Sequence, residues 1–172
     1  GSRSLTEEEA YTSMKMILTE QADPLQIGAF LMLLRVKEET TEELTGFVRA
    51  SKDVIQAPAT LSADIDWSSY AGKRRHLPWF LFSIFLLAEQ GIRVFIHGAK
   101  GHTANRLYTE TLLQELGHSP AKNWDDVQTQ LDSQNFCYMP LEFLLPKMEE
   151  LIQLRSILGL RSPVHSLSRL LN

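Results

Sequence analysis

The run Ser68-Ser69-Tyr70-Ala71-Gly72-Lys73-Arg74-Arg75-His76 places three adjacent cations and an imidazole in one polar stretch. Arginine offers a planar fork of donors that suits phosphate, and lysine adds a point charge. That chemistry is phosphate or nucleic-acid-backbone binding, and the same run also reads as a solvated basic loop. His97-Gly98 is a second candidate, pairing an imidazole that can serve a carbonyl or carboxylate with a glycine that lets a ligand approach the backbone. Arg155 and Arg161 flank Gly159 and can clamp an anion, although helix C-termini favour cations in any case. Asp64 and Asp66 are two oxygen donors without a third, which does not make a metal site. Cys137, the sole cysteine, has no basic partner nearby in sequence and reads as a buried structural thiol. Trp79, Phe80, Phe82 and Phe85 read as core rather than as a base-stacking platform. No zinc spacing, P-loop or nucleophile elbow is present.

The spacing of apolar residues supplies elements to hold these groups. Thr6 and Glu9 form a capping-box pattern, followed by Ala10, Met14, Ile17 and Leu18 at helical spacing. Asp23-Pro24 starts a second helix and Thr41-Glu42-Glu43 a third, so residues 3–56 read as a small helical domain. A linker over Gln56–Leu61 follows. Beyond it come a short strand at Asp64–Trp67, an apolar helix at Trp79–Gln90, a buried strand at Arg93–His97 and a loop at Gly98–Thr103. A helix at Asn105–Leu116, one at Asp125–Leu131, a strand at Phe136–Met139 and a last helix at Lys147–Leu158 complete the pattern. Alternating strands and helices predict a parallel sheet wrapped by helices, an α/β domain over 62–172. The basic run and His97-Gly98 then both lie at the carboxyl edge of the sheet, where ligands of open α/β folds sit. With about three strands the sheet reads as incomplete, so the chain is expected to be a fragment of a longer protein, with Gly1-Ser2 a cloning scar.

Apolar residues make up 44% of the 172, which is enough to exclude disorder as the main state. A single cysteine excludes a disulfide scaffold and suits a reducing cytoplasm. The longest apolar run, Leu77–Ala88, falls short of the ~20 residues of a membrane span, so no membrane partner is expected. The net charge of -4 argues against a protein coated all over by nucleic acid. Residues 61–118 nevertheless hold six basic and five acidic side chains, against six and ten in residues 1–60. That leaves room for one local anion site.

Three segments carry a resemblance: Leu5-Thr6-Glu7-Glu8-Glu9-Ala10, Gln26-Ile27-Gly28-Ala29-Phe30-Leu31-Met32-Leu33-Leu34-Arg35 and Lys37-Glu38-Glu39-Thr40-Thr41-Glu42-Glu43-Leu44. With His97-Gly98 and Arg155-Ser156-Ile157-Leu158-Gly159-Leu160-Arg161-Ser162, their order resembles the anthranilate phosphoribosyltransferases, family-3 glycosyltransferases of the pyrimidine-nucleoside-phosphorylase-like group. The resemblance implies a helical domain beside a larger α/β domain, and a homodimer through the helical domain. It puts the acceptor site at His97, Gly98 and Arg155, and the paired acidic magnesium ligands beyond residue 172. Against the family's glycine–threonine–glycine–glycine–aspartate phosphate loop this chain reads Ser68-Ser69-Tyr70-Ala71-Gly72. Tyr70 is expected to obstruct a pyrophosphate there. The phosphate-holding asparagine and serine–threonine pair become Pro78 and Phe80-Leu81, and the lysine and asparagine around the histidine become Ile96 and Ala99.

Transferase chemistry is thus implied by the resemblance, while the loop that performs it is not retained, and no catalytic residue or resident metal is assigned. A divergent branch of the family lacks this loop and binds nucleic acid without sequence preference. By that resemblance the expected partner is single-stranded nucleic acid or another polyanion, held by Lys73, Arg74, Arg75, Lys100 and Arg106 through phosphate neutralisation. The alternatives are an active transferase with an altered donor or acceptor, taking magnesium and a phosphorylated small molecule, and a dimeric scaffold acting through its helical domain.

Overall fold

The computed structural model describes residues 3–99 and 105–171. In chain order the elements are α1 (Glu7–Leu18), α2 (Pro24–Lys37), α3 (Thr41–Val54), β1 (Ile65–Ser68), α4 (Phe80–Glu89), β2 (Val94–Gly98) and α5 (Thr109–Glu115). They continue with α6 (Trp124–Gln134), β3 (Phe136–Pro140), α7 (Leu141–Leu144), α8 (Pro146–Gln153), α9 (Arg155–Leu158) and α10 (Val164–Leu167). Two compact units result. One contains residues up to 56 together with 145–171, and the other contains residues 57–144. An α/β domain over 62–172 therefore differs from the observed division, because the C-terminal helices join the helical unit. Met148, Leu151 and Ile152 of α8 and Val164 and Leu167 of α10 are buried, with α8 packed on α1 and α10 on α3.

Each of the first three helices begins with a reciprocal cap. Thr6 and Glu9 close one box, Asp23 and Gln26 the next with Pro24 at the first helical position, and Thr40 and Glu43 the third. Ala10, Met14 and Ile17 of α1 meet Phe47 and Ala50 of α3 in the core. Gly46 lets these two helices touch, since an added Cβ there would strike Glu7 O and stand 2.8 Å from the Ala10 Cβ. Glu43 is fully buried and accepts from Lys37 Nζ at 2.7 Å, Leu5 N at 2.8 Å and Thr40 N at 2.9 Å. Burial alone would raise its carboxyl pKa, but the Lys37 ammonium and the two amides outweigh that and hold it below the ordinary value.

In the second unit the strands lie in the order β1-β2-β3, all parallel. Registers Ile65↔Val94↔Phe136 and Trp67↔Ile96↔Tyr138 set one face. Val94, Ile96, Phe136 and Tyr138 there form a core with Leu81, Ile84 and Ala88 of α4 and Leu113 of α5. The opposite face carries the rows Asp66↔Phe95↔Cys137 and Ser68↔His97↔Met139, and α6 packs on it, with Trp124 6.0 Å from Phe95. Helices on both faces of a parallel sheet are the architecture the alternating pattern predicts.

Two helices differ from the sequence pattern. The helix anticipated from Asn105 begins at Thr109, because Leu107 is held in an antiparallel bridge by Lys73 (Lys73 N to Leu107 O 2.8 Å, Leu107 N to Lys73 O 2.9 Å). The final helix divides at Leu154, where Ile157 N bonds back three residues to Leu154 O, and α9 ends at Gly159 with φ 75°.

Candidate functional site

The loop between β1 and α4 is tied down from several sides. Ser69 N donates to His97 O at 2.7 Å, and the Ser69 and Thr109 hydroxyls lie 2.6 Å apart. The bridge to Leu107 uses both polar backbone groups of Lys73. Arg106 Nη1 donates to Gly72 O at 3.0 Å. Gly72 is buried, and a Cβ there would stand 2.8 Å from the Tyr108 ring and 2.9 Å from the Arg106 Cβ. The glycine thus serves internal packing, and Arg106, half-buried, commits part of its guanidinium to the loop's own backbone.

Tyr70 is the pin of this arrangement. Its phenol is 4% exposed and its hydroxyl lies 2.7 Å from His97 Nδ1. Nε2 faces Asp66 Oδ1 at 2.9 Å, an ion-pair distance without hydrogen-bond alignment. The His97 side chain is 1% exposed, so both ring nitrogens face groups of this chain. Gly98, the other residue of that pair, is filled by the chain as well. A Cβ there would collide with Ser69 O, while Gly98 O accepts from the Tyr138 hydroxyl at 3.2 Å. The sequence places His97 and Gly98 at the carboxyl edge, as observed, but does not reveal Tyr70 and Asp66 as partners of His97. Tyr70 lies in a loop outside the alternating pattern, and Asp66 reaches His97 across strands.

The loop's backbone faces inward and its cations face outward. Lys73, Arg74, Arg75 and His76 are all exposed, and no side chain among the described residues forms an ion pair with Lys73, Arg74 or Arg75. Lys100 lies outside the described residues. The helix that follows the cations, α4, departs from its expected burial. Phe80 stacks on Trp67 at 5.5 Å and Phe85 packs edge-on to Phe136 at 5.2 Å, as core residues should. Trp79 and Phe82, which also read as core, are instead 60% and 59% exposed. In α4 only Ser83 and Glu89 are polar, and they mark the solvent side that Trp79, Phe82 and Leu86 share; two polar residues among so many apolar ones leave the buried set Leu81, Ile84 and Ala88 weakly marked by periodicity.

The remaining candidates have other surroundings. Asp64 Oδ2 accepts from Arg93 N at 2.8 Å. Among the described residues no three His, Cys, Asp or Glu side chains gather as metal ligands. Burial pushes the Cys137 thiol up to about 12, with nearby Asp66 adding to the rise, which makes it a poor nucleophile. Arg155 begins α9 in the other unit. There burial lowers the pKa of His165, and Arg161, Arg155 and Arg169 add to the lowering against a hydrogen bond to Ser162. No described helix is long and apolar enough to cross a membrane.

Comparison with known proteins adds a lineage to this geometry. Residues 1–54 match the model described as the glycosyl transferase family, helical bundle domain. The chain is 28% identical over 171 residues to the uncharacterized protein YbiB of Escherichia coli (strain K12), covering 98% of this chain and 53% of that protein. It is also 28% identical over 176 residues to the anthranilate phosphoribosyltransferase of Symbiobacterium thermophilum, covering 99% of this chain and 50% of that enzyme. The crystal structure of anthranilate phosphoribosyltransferase (TrpD) from Thermus thermophilus superposes with a TM-score of 0.82 at 22% identity, over 99% of this chain and 52% of that one. The chain therefore spans about half the length of the curated relatives it matches.

Proposed function

Because this chain is an anthranilate phosphoribosyltransferase-like protein of glycosyltransferase family 3, we propose that it keeps the family frame, has lost the donor chemistry, and binds single-stranded nucleic acid or a similar polyanion without sequence preference. One observation carries the reading: the β1–α4 loop commits the Ser69 and Lys73 amides to bonds within the chain beside a buried Tyr70, and leaves Lys73, Arg74 and Arg75 exposed without carboxylate partners among the described residues. A pyrophosphate cradle needs free amides converging on the ligand. Here Ser69 N and Lys73 N already donate to His97 and Leu107, and Tyr70 fills the end of the strand. Exposed cations on a loop tethered at Ser69, Gly72 and Lys73 suit a phosphate backbone, whose neutralisation releases counterions whatever the base sequence. Arg106 serves in part by fixing the loop that presents the other three.

The rival reading, an active transferase with an altered donor or acceptor, needs His97 to meet the acceptor, and the imidazole is enclosed between Tyr70 and Asp66. A titration of the full-length protein with a fluorescein-labelled single-stranded oligonucleotide at two salt concentrations decides between them, beside calorimetry with phosphoribosyl pyrophosphate and magnesium. Saturable oligonucleotide binding that weakens steeply with salt, with no heat from the sugar donor, is the expected result. Saturable donor binding without oligonucleotide binding overturns it.

The reading includes a homodimer through the helical domain. Leu25, Leu33 and Val36 of α2 are strongly exposed, and Leu33 and Val36 border an apolar groove with Phe30 and Leu34. Such a stripe is expected to be covered by a second copy. Sedimentation velocity should give a dimer, and Leu33→Lys with Val36→Lys should give a monomer.

A further inference from the structure

Trp79 and Phe82 are stacked on each other, with centroids 5.7 Å apart and planes 22° from parallel, and both are more than half exposed. We infer that this pair is a base-stacking platform continuous with the Lys73–Arg75 loop, so that the surface takes single strands with accessible bases in preference to duplex. The inference rests on the nucleic-acid reading above and adds the part of the ligand that is recognised.

The placement follows from the chain itself. Trp79 is four residues beyond Arg75, so their Cα atoms lie within about 14 Å, and Pro78 between them is buried and fixes the join. Trp79, Phe82 and Leu86 share one side of α4, while Leu81, Ile84 and Ala88 face the sheet. The rings are thus anchored on a helix whose other face is locked into the core. A pre-stacked pair loses little entropy when a base extends the stack, and every base has a π-face, which suits binding without sequence preference. The neighbouring charge says which cover fits. A protein laid over these rings would also meet three adjacent cations that have no described acid beside them, and burying unpaired charge is costly. A single strand supplies bases for the rings and phosphates for the cations together. Duplex DNA supplies the phosphates but keeps its bases stacked inside.

The test compares labelled oligo-dT, an abasic strand of the same length and a duplex, using the full-length protein, Trp79→Ala with Phe82→Ala, and Lys73→Ala with Arg74→Ala and Arg75→Ala. Leu86→Ala, further along the same stripe, is the control, and circular dichroism checks that each variant is folded. The wild type is expected to prefer oligo-dT to both other ligands. The aromatic variant should lose at least about fivefold on oligo-dT, nothing on the abasic strand, and keep the wild-type salt dependence. Trp79→Phe should restore most of the loss. The cation variant should weaken on both single strands. An aromatic variant that loses equally on both single strands, or on neither, overturns the platform and leaves phosphate binding standing. A changed sedimentation coefficient in the aromatic variant assigns the rings to a protein contact and also overturns it. A wild type that binds none of the three ligands removes the nucleic-acid reading itself.

Discussion

The helical unit and the β1–α4 loop treat charge in opposite ways. In the helical unit Glu43 is sealed under Lys37, Arg49 reaches Glu7 and Glu8, Arg3 pairs with Glu9, and Lys147 with Glu20 and Glu150. In the loop Lys73, Arg74 and Arg75 are exposed, while the backbone of Lys73 is bridged to Leu107. The Glu43 carboxylate, sealed by its partners, contributes to stability, while the more exposed pairs cancel charge locally and contribute little. Charges held apart on a fixed loop contribute little to stability and create a local field that a polyanion can answer. An acidic chain can therefore carry a basic site, because net charge averages two regions with different tasks.

The sharpest break in that comparison is at Glu43. Glu43→Ala leaves Lys37 and the amides of Leu5 and Thr40 without their shared acceptor. The expected loss is ~3–5 kcal/mol, measured by urea unfolding. The pH dependence has a fixed sign. The folded-state pKa of Glu43 is lowered, so its contribution is fully present above the unfolded value and is lost as pH falls through the folded one. Glu43→Gln should remove that acid-dependent part of the stability, and a stability curve below pH 5 with unchanged shape would refute it.

The counterpart change in the loop, Lys73→Ala with Arg74→Ala and Arg75→Ala, should do the reverse. Unfolding free energy should stay within about 0.5 kcal/mol, as for exposed residues without partners. Affinity for an oligonucleotide should fall at least about tenfold, and the salt slope should shrink by roughly 2, near 0.7 for each single-strand phosphate that is no longer neutralised. A large loss of stability with unchanged binding would show that these cations, too, serve the fold.

How far each region can be read from sequence follows the same division. The caps of α1 to α3 are local rules over three residues, and Thr6, Asp23 and Glu43 announce them. The three parallel strands are legible because buried β-branched and aromatic runs alternate with helical ones. The contacts of Tyr70 are not, because it lies in a loop and its partner His97 is 27 residues away on β2. Gly98 reads as an approach for a ligand, and the approach is made by Ser69 O. The exposure of Trp79 and Phe82 is hidden because, within α4, only Ser83 and Glu89 mark the solvent side against many apolar residues. The membership of 145–171 in the helical unit is hidden because which core an amphipathic helix joins is a long-range choice that its own pattern does not state.

Tyr70→Phe sharpens the division within the sheet unit. It keeps the buried ring and deletes the hydroxyl beside His97 Nδ1, leaving a buried ring nitrogen without that partner. A destabilisation of about 1–3 kcal/mol is expected, with oligonucleotide affinity unchanged once the protein is folded. Lost affinity in a fully folded variant would move Tyr70 and His97 from the scaffold to the binding surface.

The smallest effect is at the first helix cap, and it separates the two kinds of interaction by their response to salt. Thr6→Ala removes the hydroxyl that accepts from Glu9 N at 3.2 Å, while Glu9 can still accept from the amide of residue 6, now at 2.9 Å. Half of the capping box survives, so the loss should be about 1 kcal/mol. The deleted bond joins neutral groups, and dissolved ions do not screen it. The cost of Thr6→Ala should therefore be the same in dilute and concentrated salt, whereas the binding defect of the loop variant should shrink as salt weakens the wild type toward it. If the cap defect faded with salt as the loop defect does, the helix start would owe its strength to the Arg3–Glu9 ion pair instead, and the contrast between neutral scaffold and charged surface would fail at the position where local sequence rules are clearest.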